Sequence, residues 1–86
     1  RRMRQRRVFT DQVVLAHVYN HEGTEHAANE LAASTLYTHF RWRKPFTDVV
    51  LARLRALNLL AVQDDQISLT ERGRSTVERF NREVKE

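Results

Sequence analysis

Residues 34–74 read STLYTHFRWRKPFTDVVLARLRALNLLAVQDDQISLTERGR. Ser34 suits the start of a short helix, because its side-chain oxygen accepts an amide hydrogen there. Pro45 suits the first turn of a longer helix, where its missing N–H leaves nothing unsatisfied. Asn58 suits the left-handed residue that ends this longer helix. The first half of the stretch therefore predicts two helices joined by a turn.

A β-hairpin is expected directly after the longer helix. Apolar and other residues alternate in 60–62 and again in 67–69, which is typical of strands with one buried face. Residues 64–66 lack the glycine that tight hairpins favour, so we expect a loop of about three or four residues. Thr70 then caps a final helix. Because a two-stranded hairpin is marginal alone, it must lie against the helices.

Two more helices are expected upstream. Thr10 and Asp11 suit the start of the first helix, because a short side-chain oxygen can accept its free amide hydrogens. Apolar residues recur at helical spacing as far as Gly23, which suits a C-terminal cap. Thr24 begins a second, weaker helix. The complete order predicts a mostly α winged helix over residues 9–86, a helix-turn-helix followed by a two-stranded β-wing.

Length and composition exclude several classes of protein. The chain has 86 residues and no cysteine, so we expect one domain without disulfides or thiolate metal sites. No apolar run approaches the roughly 20 residues of a membrane span. The first residue is Arg1 rather than Met, so we expect the chain to be part of a longer one. Motifs of catalytic sites are absent from the sequence, which favours a protein that is not an enzyme.

Positive charge is concentrated in two segments of the sequence. The net charge is +4. Residues 1–8 form a predicted basic arm or linker that contacts anionic lipid headgroups or nucleic acid. Its five arginines are Arg1, Arg2, Arg4, Arg6 and Arg7. A backward extension of the first helix is the disfavoured alternative, because arginines at a helix N-terminus oppose its dipole. The second basic segment, residues 41–58, holds five bases against Asp48. The charge distribution therefore indicates a membrane-adjacent tail as readily as a DNA-binding protein.

The stretch quoted above resembles a known family in several places. Pro45 is followed by Ala-Arg-Leu at 52–54 and Asn-Leu-Leu at 58–60, similar to the recognition helix of that family and its end. The junction Leu-Thr-Glu-Arg-Gly-Arg at 69–74 is similar to its passage from wing to last helix. The family is the winged helix-turn-helix of iron-dependent, diphtheria-toxin-repressor-like metalloregulators. The resemblance implies a DNA-binding transcriptional module.

The whole chain also resembles the cytosolic C-terminal domain of some manganese, zinc or iron ABC-transporter permeases. The arginine arm, the segment Tyr-Asn-His-Glu-Gly at 19–23 and the winged helix carry this second resemblance. Arginines directly after a membrane span are what the positive-inside rule predicts. The resemblance implies a cytoplasmic location on the cytosolic face of the inner membrane. It also implies a regulatory or protein-contact role, and both functions stay open at this stage.

The first resemblance implies a recognition helix over 45–58 that lies in the major groove of duplex DNA. The candidate DNA-binding residues are Arg41, Arg43, Lys44, Thr47, Arg53, Arg72 and Arg74. Asp48 and Val49 depart from the family pattern, because a carboxylate repels phosphate and valine cannot hydrogen-bond a base. Trp42 stands at an apolar position of the family, so we expect it to pack in the core.

Two histidines suggest a metal site. His17 and His21 are one helical turn apart, with Glu22 and His26 close behind, and imidazoles at this spacing can hold a divalent metal. The competing expectation is a partly buried His17 and a surface His21. His39 is isolated and expected to be structural. The regulatory ligands of the family lie partly on helices beyond the winged helix, so no ligand is transferred, and a divalent metal is the one cofactor considered.

The last helix offers a further interaction surface. Val77, Phe80 and Val84 form an apolar stripe at helical spacing. Repressors of the resembled class pair two copies to bind palindromic sites, so a homodimer through this helix is an expectation.

Overall fold

A computed structural model describes the backbone of residues 2–85 and the side chains of residues 8–83. The elements in chain order are α1 (Arg2–His21), α2 (Ala27–Glu30), α3 (Leu36–Phe40), α4 (Lys44–Ala56), β1 (Leu60–Gln63), β2 (Gln66–Leu69) and α5 (Glu71–Lys85). A 3₁₀ turn leads into α3, and the two strands pair antiparallel. The structure therefore confirms a mostly helical fold with a two-stranded hairpin in the predicted order.

One apolar cluster joins the helices to the hairpin. Its buried members are Val14, Leu15, Val18, Leu31, Leu36, Val50, Leu51, Leu54, Leu60, Ile67, Leu69 and Val77. Each fully buried aliphatic side chain contributes roughly 1.5–3 kcal/mol relative to an exposed one. The alternation predicted for the strands is confirmed, because Leu60, Ile67 and Leu69 are buried and their neighbours in the strands are not.

The first helix begins earlier than the sequence predicts. α1 starts at Arg2, so Thr10 lies inside the helix and not at its N-terminus. Asp11 has a different role as well, because its carboxylate accepts a hydrogen bond from Arg53 on α4. The contact between Asp11 and Arg53 joins two helices, so rules for capping within one helix do not predict it. The backbone of the predicted arm is likewise part of α1 from Arg2 onward.

Two predicted helix ends are confirmed. Gly23 follows α1 with a φ of +74°, and Asn58 follows α4 with a φ of +59°. Both values lie in the left-handed region, where glycine has no steric penalty and asparagine a small one. The chain reverses at each of these residues. The first reversal brings α2 back alongside the end of α1.

The hairpin turn is shorter than predicted. Gln63 pairs with Gln66, which leaves a loop of two residues, Asp64 and Asp65, with φ values of +53° and +64°. Aspartate tolerates this left-handed geometry better than most residues. The Asp65 carboxylate also accepts hydrogen bonds from the Ser34 N–H at 2.9 Å and the Ser34 hydroxyl at 2.6 Å. The expectation of a longer loop is therefore wrong, because this contact with the 3₁₀ turn favours a tight turn without glycine.

The segment between α2 and α3 holds the hairpin against the helices. The Ile67 N–H donates to the Leu31 carbonyl at 2.8 Å, and the Ala33 N–H donates to the Asp65 carbonyl at 2.8 Å. Ala32 forms an isolated antiparallel bridge with Gln66. These bonds extend the sheet by one short stretch of chain. A hairpin that would be marginal alone is thus fixed to the helical part.

The junction between β2 and α5 is closely packed. The Thr70 hydroxyl accepts a hydrogen bond from the Gly73 N–H at 3.0 Å and donates one to the Asn58 carbonyl at 2.6 Å. Thr70 is therefore the predicted cap of α5. Gly73 is buried, and a Cβ atom at this position would overlap the Leu59 carbonyl oxygen. Glycine is required at position 73 because the Leu59 backbone lies so close, and not because of an unusual φ.

The first residue of the apolar stripe on α5 packs into the protein's own core. Val77 is buried in the core cluster, and Phe80 is half-buried. The side chain of Val84 lies outside the described residues. Among the helices of residues 2–85, none combines the length and the apolar character needed to cross a membrane.

Replacement of Gly73 by alanine tests this junction. Alanine normally stabilises a helix by about 1 kcal/mol relative to glycine. We expect Gly73→Ala to lower the free energy of unfolding instead, by about 1–3 kcal/mol, because the added methyl group overlaps the Leu59 carbonyl. Urea denaturation measures the change. Ser75→Ala, at an exposed position of the same helix, is the control and should cost nothing. A Gly73→Ala protein as stable as its parent would contradict the packing described.

Candidate functional site

The turn between α3 and α4 sets the direction of α4. Arg41 follows α3 with a φ of +58°, and its N–H donates to the Tyr37 carbonyl. Trp42 packs between Phe40 and Phe46, whose ring centroids lie 4.6 and 5.2 Å away. Trp42 is half-buried against the core. The expectation that this tryptophan packs is confirmed.

Two residues of the predicted DNA contact are occupied inside the fold. We use "α4 surface" for the predicted DNA-contact residues on and before α4, namely Arg41, Arg43, Lys44, Thr47 and Arg53. Thr47 is 1% exposed, and its hydroxyl donates to the Arg43 carbonyl at 3.2 Å. Arg53 donates to Asp11 on α1 at 2.5 Å. Thr47 is therefore wrong as a base contact, because it faces the core, and Arg53 bridges two helices.

A third residue of the α4 surface is partly neutralised. The Lys44 ammonium group donates to the Asp48 carboxylate at 2.9 Å, one helical turn away. This hydrogen bond and the charge of Asp48 raise the pKa of Lys44. The carboxylate that departs from the family pattern thus lies directly beside a predicted phosphate contact. An approaching phosphate would meet an ion pair at this point and not a free cation.

Three arginines of this region are exposed to solvent, namely Arg41, Arg43 and Arg55. Arg55 lines a shallow groove of about 370 Å³ between α4 and the hairpin. The same groove is lined by Lys44, Asp48 and Asp65, so its charge is mixed. The exposed arginines that can attract phosphate are therefore Arg41 and Arg43 of the α4 surface, together with Arg55 beside it.

The outward face of α4 is apolar near its N-terminus. The exposed fractions of Phe46 and Val49 are 46% and 60%. These are the positions that lie closest to base edges when a recognition helix enters a major groove. Neither side chain can donate or accept a hydrogen bond. This face offers contact area and no readout of base edges.

The hairpin and the start of α5 carry little unpaired positive charge. Arg72 is exposed, but Arg74 donates to both carboxylate oxygens of Glu22 at 3.2 and 3.3 Å. Glu22 also accepts the Leu69 N–H at 3.2 Å, so it ties the end of α1 to β2 and α5. The tip of the hairpin is acidic, with Asp64 and Asp65 in its turn. Arg72 and Arg74 are both exposed, but Arg74 is paired with Glu22, so Arg72 alone of these two has no ion pair among the described residues.

The predicted basic arm, residues 1–8, contains five arginines. The side chains of Arg1, Arg2, Arg4, Arg6 and Arg7 lie outside the described residues. Their predicted contact with lipid headgroups or nucleic acid stays a prediction.

A second group of polar residues converges where α1, α2 and α3 meet. We use "His–Glu cluster" for His17, His21, Glu30 and His39. His17 and His21 lie one turn apart on α1, and the reversal at Gly23 brings the end of α2 across from them. The ring centroids of His17 and His21 are 4.5 Å apart, and those of His17 and His39 are 5.4 Å apart.

The Glu30 carboxylate lies at the centre of this cluster. Its Oε1 atom is 3.4 Å from His21 Nε2 and 3.8 Å from His17 Nε2. Its Oε2 atom is 3.4 Å from His39 Nδ1. All three distances exceed the roughly 2.7–2.9 Å of a direct hydrogen bond between charged groups. The nitrogens surround the carboxylate without closing onto it.

Hydrogen bonds to the backbone orient two of the imidazoles. His17 Nε2 lies 2.9 Å from the Glu30 carbonyl oxygen, and His39 Nε2 lies 3.4 Å from the Asn29 carbonyl oxygen. The ring of His17 also packs edge-on against Phe40, with centroids 5.0 Å apart. Burial lowers the pKa of His17, which favours the neutral ring. A neutral imidazole is the form that binds metals.

The sequence predicts two members of this cluster and misses the other two. His17 and His21 converge as their spacing indicates. Glu22 and His26 do not join them, because Glu22 binds Arg74 and His26 lies beside Glu25 at the surface. Glu30 and His39 take their places. No local signal identifies them, since Glu30 meets α1 only after the reversal at Gly23 and His39 lies further along, on α3.

Comparisons with known proteins find no relative for this chain. No protein-family model, no curated protein and no solved structure matches it. The arrangement of its own residues is therefore the basis for the functional proposals that follow.

Substitution of two aspartates tests the roles given to the charges of α4. We expect Asp11→Asn to lower the free energy of unfolding by about 1–3 kcal/mol, because Arg53 loses its partner in a partly buried position where its Nε atom already lacks one. Asp48→Asn is the matched control and should change stability much less, because its pair with Lys44 is exposed to solvent. Thermal or urea denaturation measures both. Equal effects would contradict the structural role of Arg53.

Proposed function

We propose that this chain is a non-catalytic winged-helix regulatory domain of the iron-dependent metalloregulator class, derived from a DNA-binding ancestor. The helix, turn and helix of α3 and α4 followed by a hairpin and α5 support the winged-helix assignment. The short bridge of Ala32 to β2 supports it further, because it joins the hairpin to the chain that precedes the helix-turn-helix.

In this proposal α4 contacts protein and does not read base sequence. The observation that carries it is the outward face of α4, where Phe46 and Val49 are exposed. The polar residues that would read bases are unsuited to that task, because Thr47 is buried and Arg53 is held by Asp11. Sequence-specific recognition needs donors or acceptors aimed at base edges. Of the exposed polar residues on α4, Lys44 and Asp48 are paired with each other, and the side chains beside them, Phe46 and Val49, are apolar.

The proposed setting is the cytosolic side of a metal-transport permease. A winged helix that follows the last membrane span would have its basic arm at the membrane surface, where anionic lipids attract arginine. The domain would then regulate the transporter through contacts of α4 and the hairpin. The domain would keep the fold of a DNA-binding repressor but would no longer bind an operator sequence.

A DNA-binding module is the second candidate, and the exposed Arg41, Arg43 and Arg55 favour it. Three arginines can hold a duplex through its phosphates. Contacts of this kind are lost steeply with salt and carry no sequence information. The two candidates thus differ in selectivity and not in whether any DNA is bound at low salt.

Selection from a pool of random duplexes separates the two candidates. We expect no enriched sequence, and we expect residual binding at low salt that falls steeply as salt is added. The double variant Arg41→Gln, Arg43→Gln should weaken this residual binding about equally for all duplexes. Arg79→Gln, an exposed residue on α5, is the control for net charge and should have a smaller effect. Fluorescence anisotropy with labelled duplexes measures each affinity.

One outcome would overturn the proposal in favour of the repressor. A selected duplex bound about a thousandfold more tightly than random DNA is typical of a specific regulator. If Phe46→Ala or Val49→Ala then altered which bases were selected, α4 would be a reading helix after all.

A further inference from the structure

We propose that His17, His21 and Glu30 form a binding site for one divalent transition metal ion of the zinc type. The site does not depend on the function proposed for α4, since it lies at the meeting point of α1 and α2. Its three ligand atoms all lie within 4.8 Å of one another. Glu30 supplies Oε1, and the two histidines supply Nε2.

The distances within the cluster match those between ligands of a common ion. Zinc binds imidazole nitrogen and carboxylate oxygen at about 2.0–2.2 Å in tetrahedral geometry, which sets neighbouring ligand atoms about 3.3 Å apart. His21 Nε2 and Glu30 Oε1 are 3.4 Å apart, and His17 Nε2 is 3.8 Å from the same oxygen. The remaining pair, the two histidine ligand atoms, lies within 4.8 Å, so binding requires the side chains to draw closer together.

His17 binds the ion at the cost of one hydrogen bond. Its Nε2 atom lies 2.9 Å from the Glu30 carbonyl oxygen. The ion takes the lone pair of this nitrogen, so the ring proton resides on Nδ1 and the hydrogen bond to the carbonyl is given up. The ion replaces that bond with a stronger one and leaves α1 and α2 joined.

His39 orients the carboxylate from outside the ligand set. Its Nδ1 atom is 3.4 Å from Oε2 of Glu30, the oxygen that faces away from the ligand nitrogens of α1. When the ion binds, closure of the Nδ1–H onto this oxygen would hold the carboxylate with Oε1 directed at the ion. Partners of this kind typically change metal affinity by about 10–100-fold when removed. His39 is thus a positioning residue and not a ligand.

The ligand types define the class of ion. Two imidazoles and one carboxylate suit zinc, cobalt and similar ions, whereas calcium and magnesium prefer oxygen ligands throughout. The side chain of His21 is 32% exposed, so solvent reaches this edge of the cluster. Three protein ligands leave a fourth position for water or for a donor from another molecule.

The test is titration of the chain with cobalt and zinc after dialysis against EDTA. We expect one equivalent of Co²⁺ to bind with the visible absorption of a tetrahedral site and Zn²⁺ to displace it. His21→Gln and Glu30→Gln should each weaken binding by more than about tenfold, and His39→Gln by about tenfold. An excess of Mg²⁺ or Ca²⁺ should not compete.

The chain supplies its own matched control. His26 lies beside Glu25 at the surface, with side chains 72% and 85% exposed, so His26→Gln removes a histidine near the site without touching it. Its affinity should equal that of the parent. The unfolding temperature of each variant in EDTA establishes that it is folded, and added Zn²⁺ should raise this temperature for the parent and for His26→Gln much more than for His21→Gln.

Three results would overturn the proposal. The first is no binding of Co²⁺ or Zn²⁺ by the folded parent. The second is an affinity that survives Glu30→Gln unchanged. The third is equal loss in His26→Gln and His21→Gln, which would assign the ion to scattered surface histidines.

Discussion

The position of Glu30 is the constraint on which the arrangement of the first three helices depends. Its carbonyl oxygen accepts a hydrogen bond from His17, and its carboxylate faces imidazoles from both α1 and α3. A partly buried carboxylate without short hydrogen bonds from its side-chain neighbours is costly unless positive charge is supplied. Protonated imidazoles or a bound cation can supply it. The local stability of this corner is therefore linked to what occupies the His–Glu cluster.

The same corner leads directly to the rest of the fold. Leu31 and Ala33 follow Glu30 and bond to the hairpin, and α3 then turns at Arg41 into α4. A ligand in the His–Glu cluster would stabilise the chain that anchors both the hairpin and α4. The charges of α4, in contrast, are largely balanced by Asp11 and Asp48. The polar residues suited to binding a ligand thus lie where α1, α2 and α3 meet and not on the face of α4.

The sequence predicts those features that depend on neighbouring residues. Gly23, Asn58 and Thr70 end or begin helices as their types indicate, because each acts within one turn of chain. Features that depend on distant partners are missed. The tight turn at Asp65 needs Ser34, which local patterns cannot place there.

The functional residues divide in the same way. His17 and His21 share a helix face, so their spacing reveals them. Glu30 lies 13 residues from His17 in the chain and joins it only through the reversal after α1. Thr47 shows the opposite failure, since its residue type suits a base contact while its position on α4 turns it into the core. Burial, which sequence patterns define poorly on a short helix, decides such cases.

X-ray absorption at the zinc edge tests the central claim most directly, because it reports the atoms around the ion. With one equivalent of Zn²⁺ on the full chain, we predict nitrogen and oxygen neighbours at about 2.0–2.1 Å and the outer-shell scattering of two imidazoles. The imidazole signal should fall by half in His21→Gln. A first shell of oxygen alone, without imidazole scattering, would contradict the assignment of the His–Glu cluster as a metal site.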